Sequence, residues 1–164
     1  LGVGTGNLAK RIPLPQNQIW GVDFAVNMLQ KAATDLPDAN LIQVDLLDPC
    51  WPPEIEQPFD RIISAYTLHE FPDEIKQNML LHLAKKSLGV EGSIIIGDIS
   101  FEDRKSFKEG YAHYKGLWDE EEYYWCAQPM TKSLITMGFS VKYTQISICA
   151  GVYVLKFHAG SEVA

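Results

Sequence analysis

The chain has 164 residues, 46% of them hydrophobic, which suits a single domain, residues 1–164, with a real core. Its formal net charge is −7, with arginine only at Arg11, Arg61 and Arg104, so a phosphate backbone is repelled and nucleic acid is not an expected partner. There is no run of about 18 apolar residues and no signal peptide, and Cys50, Cys126 and Cys149 lack metal-ligand spacing; the reading is a cytoplasmic protein with reduced thiols, no membrane span and no metal.

Gly2-Val3-Gly4-Thr5-Gly6-Asn7 opens the chain as a glycine loop between a strand and a helix. Glycine lets backbone N–H groups approach a ligand closely and tolerates positive φ. Residues 5–12 then read as a short helix that ends before Pro13 and Pro15. Residues 18–23 form a strand ending in Asp23, a carboxylate placed to accept both hydroxyls of a ribose. Loop and acid together predict a site for an adenosine-containing cofactor.

From residue 25 to 36, Met28, Leu29, Ala32, Ala33 and Leu36 recur at helical spacing. Residues 40–44 are a strand followed by Asp45, and residues 48–58, rich in proline, are an irregular loop. Residues 59–65 have the continuous apolar centre of a buried parallel strand. A long helix follows with Asp73 as N-cap, a buried stripe of Ile75, Met79, Leu80 and Leu83, and Gly89 as its stop. Glu91-Gly92 is a turn before a strand over 93–98. Residues 99–127 break the alternation with Phe101, Phe107, Tyr111, Tyr114, Trp118, Tyr123, Tyr124 and Trp125. They read as an inserted segment, either an amphipathic helix at the sheet edge or a lid over an acceptor pocket. Residues 131–137 form a helix capped by Gly138. The strands 139–146 and 148–157 have too little chain between them for a crossover and must be antiparallel.

Alternating βα units closed by an antiparallel pair predict a Rossmann-like open α/β sheet, mostly parallel, with helices on both faces. The G-x-G-x-G spacing, with Asn7 where a dinucleotide-binding loop has its third glycine, resembles motif I of the class I S-adenosylmethionine-dependent methyltransferases. "IWGVDFAVNMLQKA", "NLIQVDLLD", "FDRIISAYTLHEFPD" and "SLGVEGSIIIGDISFED" are similar to later segments of that family, in the same order. The resemblance implies S-adenosylmethionine as cofactor and S-adenosylhomocysteine as product. It implies cofactor contacts at Gly2, Gly4, Gly6 and Asn7, at Asp23 for the ribose, and at Phe24 and Met28 beside the adenine. Asp45 and Leu46 would meet the adenine edge, and Ser64, Ala65 and Tyr66 the methionine part. The family's motif I acid would precede Leu1, so the first strand, that acid and a covering helix are expected upstream.

His69 lies in the loop after the fourth-strand segment, where an imidazole can take a proton from an acceptor's nucleophile. The Asn/Asp-Pro-Pro-Tyr/Phe motif of nucleic-acid amino methylases is replaced by Ser64-Ala65-Tyr66-Thr67, which favours a small-molecule acceptor. Plainer readings stay open at this point: a tight turn for the glycines, a helix cap for Asp23, a turn former for Asp45, core packing for Phe24 and Met28, a structural role for His69. Two other functions also stay open: a non-catalytic S-adenosylmethionine or S-adenosylhomocysteine binder, and an NAD-dependent oxidoreductase.

Overall fold

The computed structural model describes residues 1–158. Two compact units, Leu1–Gln57 and Pro58–Ala164, divide the chain.

In the first unit, β1 (Trp20–Asp23) and β2 (Asn40–Gln43) pair in parallel, from Trp20 opposite Asn40 to Asp23 opposite Gln43. Helix α1 (Val26–Asp35) is the crossover between them. Parallel pairing puts Asp23 and Asp45 at the same end of the strands, because Asp45 follows β2 by two residues. A small core of Ala9, Ile19 and Leu36, joined by Val3, Ile12 and Ala39, sits beneath the glycine loop. The helix expected over residues 5–12 is reduced to a 3₁₀ turn at Ala9–Arg11. Gly4 and Gly6 hold positive φ on one side and the prolines close the other, so too few residues remain to nucleate an α-helix. The strand also starts later than expected, because Gln16–Gln18 forms a second 3₁₀ turn.

In the second unit, β3 (Phe59–Ala65), β4 (Leu88–Phe101), β7 (Ala150–Phe157) and β6 (Phe139–Ser147) lie in that spatial order, and β5 (Trp125–Cys126) also pairs with β4. β3 and β5 run parallel to β4, while β7 is antiparallel to both β4 and β6. The closing pair is antiparallel as expected, and the chain is a mixed α/β protein of the expected class. Ile94 and Ile96 of β4 and Tyr153 and Leu155 of β7 are fully buried.

Helix α2 (Asp73–Lys86) connects β3 to β4. Its N-cap residue is Pro72, not Asp73; the Asp73 carboxylate instead accepts from Lys76 Nζ at 3.0 Å. Lys76, not Ile75, occupies the buried stripe. Its ammonium is satisfied there by Asp73, by the Tyr123 carbonyl and by the Trp125 ring 4.8 Å away, which makes a buried cation tolerable. Gly89 does not stop the helix. Ser87 is the C-cap, its N–H bonded to the Leu83 carbonyl at 2.9 Å, and Gly89 already belongs to β4. The expected turn at Glu91-Gly92 is a bulge inside that strand: Phe59 faces Leu88, but Arg61 faces Ser93.

Helix α3 (Arg104–Tyr114) starts on a capping box, in which Ser106 N–H donates to Asp103 Oδ1 at 2.7 Å and Asp103 N–H to Ser106 Oγ at 3.0 Å. Helix α4 (Ala127–Thr136) begins four residues earlier than expected, since Pro129 lies in its first turn, where no N–H is needed. Met137 caps it, and Gly138 follows at φ +96°.

Candidate active site

The first unit holds most of the residues expected around a nucleoside. Gly2, Gly4 and Gly6 have φ of +60°, +53° and +79°, so all three use the freedom that only glycine offers cheaply. Gly4 N–H donates to Asp23 Oδ2 at 2.8 Å, and Ala25 N–H donates to Asp23 Oδ1 at 3.0 Å. The carboxylate is thereby locked between the loop and the start of α1. Each oxygen spends one lone pair on the backbone and keeps another for a ligand hydroxyl. A side chain added at Gly4 would meet nothing within 4 Å, so the loop presents an open face. Gly6 is different: a Cβ there would come within 2.9 Å of Leu36 Cδ1, so this glycine lets the loop close onto the core.

Phe24, next to Asp23, is 73% exposed, an unusual state for a phenyl ring, while its carbonyl is held by Gln43 Nε2 at 3.0 Å. Met28 is half-buried one helical turn on. Asp45 is exposed; its Oδ1 accepts from Leu47 N–H at 2.9 Å, and its carbonyl from Asp48 N–H at 3.1 Å. It therefore forms its own turn and makes no bond to the glycine loop, although it shares the strand end with Asp23. Leu46 is half-buried, and Asn7 is exposed. These groups fit an adenosine: an open glycine cradle, a carboxylate with free lone pairs, and an exposed flat ring.

In the second unit, Ser64 and Ala65 end β3 and Tyr66 follows it. Tyr66 has φ +50°, the one non-glycine residue with positive φ among those described, and its ring is 64% exposed. Backbone strain of about 1–3 kcal/mol persists only where the surroundings impose it, and it clusters at functional sites. Tyr66 is held there by its N–H bond to the Gly97 carbonyl at 2.9 Å. Ser64 Oγ is buried without a hydrogen-bond partner.

His69 follows on the 3₁₀ turn Leu68–Glu70 and is itself buried. Its Nδ1 lies 2.6 Å from Asp98 Oδ1. Asp98, fully buried on β4, also accepts from Leu68 N–H at 3.0 Å, His69 N–H at 3.1 Å, Ile99 N–H at 2.8 Å and Trp125 Nε1–H at 3.3 Å. With Nδ1–H donating to the Asp98 carboxylate, Nε2 is the nitrogen left to act. It points toward Glu122 Oε1 at 3.5 Å and Glu70 Oε1 at 3.8 Å. The hydrogen bond to Asp98 raises the His69 pKa above its ordinary value, burial opposing it. Burial pulls the Lys76 pKa down. Tyr124, 6.3 Å from His69 between ring centres, is pushed up to about 12 by burial and by its hydrogen bond to Glu122.

The segment after β4 supplies the aromatic surroundings. Trp118 contacts Phe101, Phe107, Tyr111 and Tyr124 with ring centres 4.6–5.8 Å apart. Asp98 was not singled out from sequence, and Glu122 stood out only as the end of the acidic run from Asp119 in the aromatic segment. For Asp98 a signal existed: an acid inside "SIIIGDISF" interrupts a strand that is otherwise apolar and buried.

The chain matches the family model described as Methyltransferase domain over residues 1–92. It is 32% identical over 152 residues to an uncharacterized methyltransferase of Geobacillus kaustophilus, covering 88% of this chain and 69% of that protein. Its fold is similar to a DhpI-SAM-HEP complex, with a TM-score of 0.75 and 16% identity, covering 94% of this chain and 75% of that one. It is also similar to the magnesium protoporphyrin IX methyltransferase ChlM of Synechocystis PCC 6803 with bound SAH, with a TM-score of 0.65 and 19% identity, covering 94% and 71%. The family match, the glycine loop tied to Asp23 and the closing antiparallel strands agree: this chain belongs to the class I S-adenosylmethionine-dependent methyltransferases.

Proposed function

We propose that the protein methylates a small-molecule acceptor by direct in-line displacement, with S-adenosylmethionine as donor and S-adenosylhomocysteine as product, in the cytoplasm. When bound, S-adenosylmethionine supplies an electrophilic methyl group on a sulfonium that is already a good leaving group. The chain's own residues are left with binding, alignment and exclusion of water, and positioning of this kind is worth about 7–11 kcal/mol in favourable cases. The observation that carries the reading is the Asp23 carboxylate bonded to the Gly4 amide beside an open cradle.

Asp23 holds the ribose hydroxyls, and the loop of Gly2, Gly4, Gly6 and Asn7 carries the chain close to the nucleoside. Phe24 and Met28 cover the adenine, with Asp45 and Leu46 at its polar edge. Ser64, Ala65 and Tyr66 hold the methionine part. His69 activates the acceptor through Nε2. Asp98 sets the tautomer and fixes the ring, so that this nitrogen is always the one presented.

Four features support a small acceptor. The charge of −7 opposes nucleic acid, and no described helix is long and apolar enough to cross a membrane. The surroundings of His69 are aromatic and acidic, through Tyr124, Trp118 and Glu122, which suits a flat organic molecule. A magnesium protoporphyrin IX methyltransferase is among the structural neighbours. The test is a cell extract separated into small-molecule, protein and nucleic-acid fractions and incubated with methyl-labelled S-adenosylmethionine. Label should enter the small-molecule fraction and fall about 10²–10⁴-fold with His69→Ala. Label confined to protein or nucleic acid would overturn the acceptor class.

A further inference from the structure

We propose that His69, Glu70 and Glu122 form a binding site for one divalent transition-metal ion of the zinc type. The ligand atoms are His69 Nε2, Glu70 Oε1 and Glu122 Oε1, which lie within 4.8 Å of one another. The distances are informative. Nε2 is 3.5 Å from one oxygen and 3.8 Å from the other, too far for a good N–H···O bond. Donors held tetrahedrally about 2.0–2.2 Å from a zinc ion stand about 3.3–3.6 Å apart. The observed spacing is near that of a metal site and wider than that of a hydrogen-bonded cluster. The two glutamate oxygens, within 4.8 Å of each other, would close to about 3.3–3.6 Å by side-chain rotation to complete three ligands, with a fourth position left open.

The second argument comes from behind the imidazole. His69 is 94% buried on a 6% exposure, and its other nitrogen is fixed at 2.6 Å by Asp98, itself buried and anchored by four further donors. A carboxylate–histidine pair of this form orients a ligating nitrogen and raises its basicity. Charge points the same way. Asp98, Glu70 and Glu122 surround the ring, and the nearby buried cation, Lys76, is already held by Asp73 at 3.0 Å. A mixed set of one imidazole and two carboxylates suits a borderline ion better than magnesium, which prefers oxygen donors in an octahedron.

The ion's use, unlike its binding, rests on the methyl-transfer reading above: with the Nε2 lone pair bound to the ion, the ion would take over from His69 the activation of the acceptor, and His69 would act as its ligand. At the open position it would take an oxygen nucleophile of the acceptor and lower its pKa. The O–H proton then leaves to water, the freed oxygen pair forms the bond to methyl, and the S–C pair returns to sulfur.

The test uses Cys50→Ser protein, which removes an exposed thiol, stripped with chelator and titrated with zinc chloride by calorimetry. One saturable equivalent is expected. The double variant Glu70→Gln/Glu122→Gln, placed at partly exposed side chains so that it folds, should bind at least about tenfold more weakly. Glu121→Gln, outside the cluster, should bind as the parent does. Cobalt-loaded protein should show a tetrahedral visible spectrum that the double variant lacks. No saturable binding, or equal binding by the double variant, overturns the site. S-adenosylhomocysteine affinity is measured on the same samples. Zinc binding without it would leave the ion site standing and count against the proposed function, whereas the reverse result would do the opposite.

Discussion

The Gly4 amide and the Asp23 carboxylate meet at 2.8 Å, so the first turn of the chain is fastened to the end of β1 by a charge-assisted hydrogen bond. One residue thereby shapes the loop and, in the proposed site, would hold the ribose. Gly4, which makes this contact, and Gly6, two residues on, have separable roles, which makes them the sharpest test of how the loop works.

Gly6→Ala should act on stability. Its φ of +79° and the 2.9 Å approach to Leu36 Cδ1 combine to destabilise the fold, by about 1–3 kcal/mol. Gly4→Ala should cost no more than the φ strain, about 1–2 kcal/mol. Its methyl group would instead stand in the open cradle and weaken S-adenosylhomocysteine binding. Urea denaturation and ligand titration of both variants check the contrast. Equal effects on the two readouts would remove it.

Asp98→Asn should be severely destabilising. An amide has a single acceptor oxygen, and its nitrogen would be turned onto donors that Asp98 now satisfies. Leaving buried donors unpaired in this network is expected to cost about 3–5 kcal/mol. Denaturant midpoints measure it; a loss below about 1 kcal/mol would mean that the network is not what holds the 68–70 turn on β4.

Gly110→Ala sets two effects against each other. Inside a helix this change usually stabilises by about 1 kcal/mol. At Gly110, on the buried face of α3, a Cβ would collide with Phe101 Cε1 and approach Cζ to 2.8 Å. Overpacking should win, for a net loss of about 1–3 kcal/mol. A raised melting temperature would show that Phe101 moves aside.

The cysteines should differ in reactivity. Burial holds the Cys126 thiol above its ordinary pKa, while Cys50 is exposed. Iodoacetamide at mildly alkaline pH should modify Cys50 first, followed by mass spectrometry. The gap should narrow as pH rises, because a thiol with a raised pKa forms its thiolate later. Earlier labelling of Cys126 would contradict its burial.

The βα alternation, the 59–65 strand and the antiparallel ending were readable because their apolar runs are long and their punctuation is strong. Helix edges were harder. Gly89 resembled a stop, but glycine marks bulges in strands as well as ends of helices, and Ser87 made the C-cap. Ile75 resembled a core position, but Lys76 displaced it, because a carboxylate, a carbonyl and an indole ring were waiting in segments distant in sequence. The glycine loop and Asp23 were legible because they are local and their spacing is specific. The surroundings of His69 were not. Asp98 is 29 residues away and Glu122 is 53, and only the folded β4 and the segment after α3 bring them together.

The central claim is that Asp23 and the glycine loop bind the nucleoside of the methyl donor. Calorimetry with S-adenosylhomocysteine and with NAD, on the protein and on Asp23→Ala, tests it most directly. The account predicts saturable binding of S-adenosylhomocysteine, none of NAD, and a loss of about 1.5–3 kcal/mol in the variant, roughly ten- to a hundredfold in affinity. Unchanged affinity in a folded Asp23→Ala protein, or preference for NAD, would contradict it.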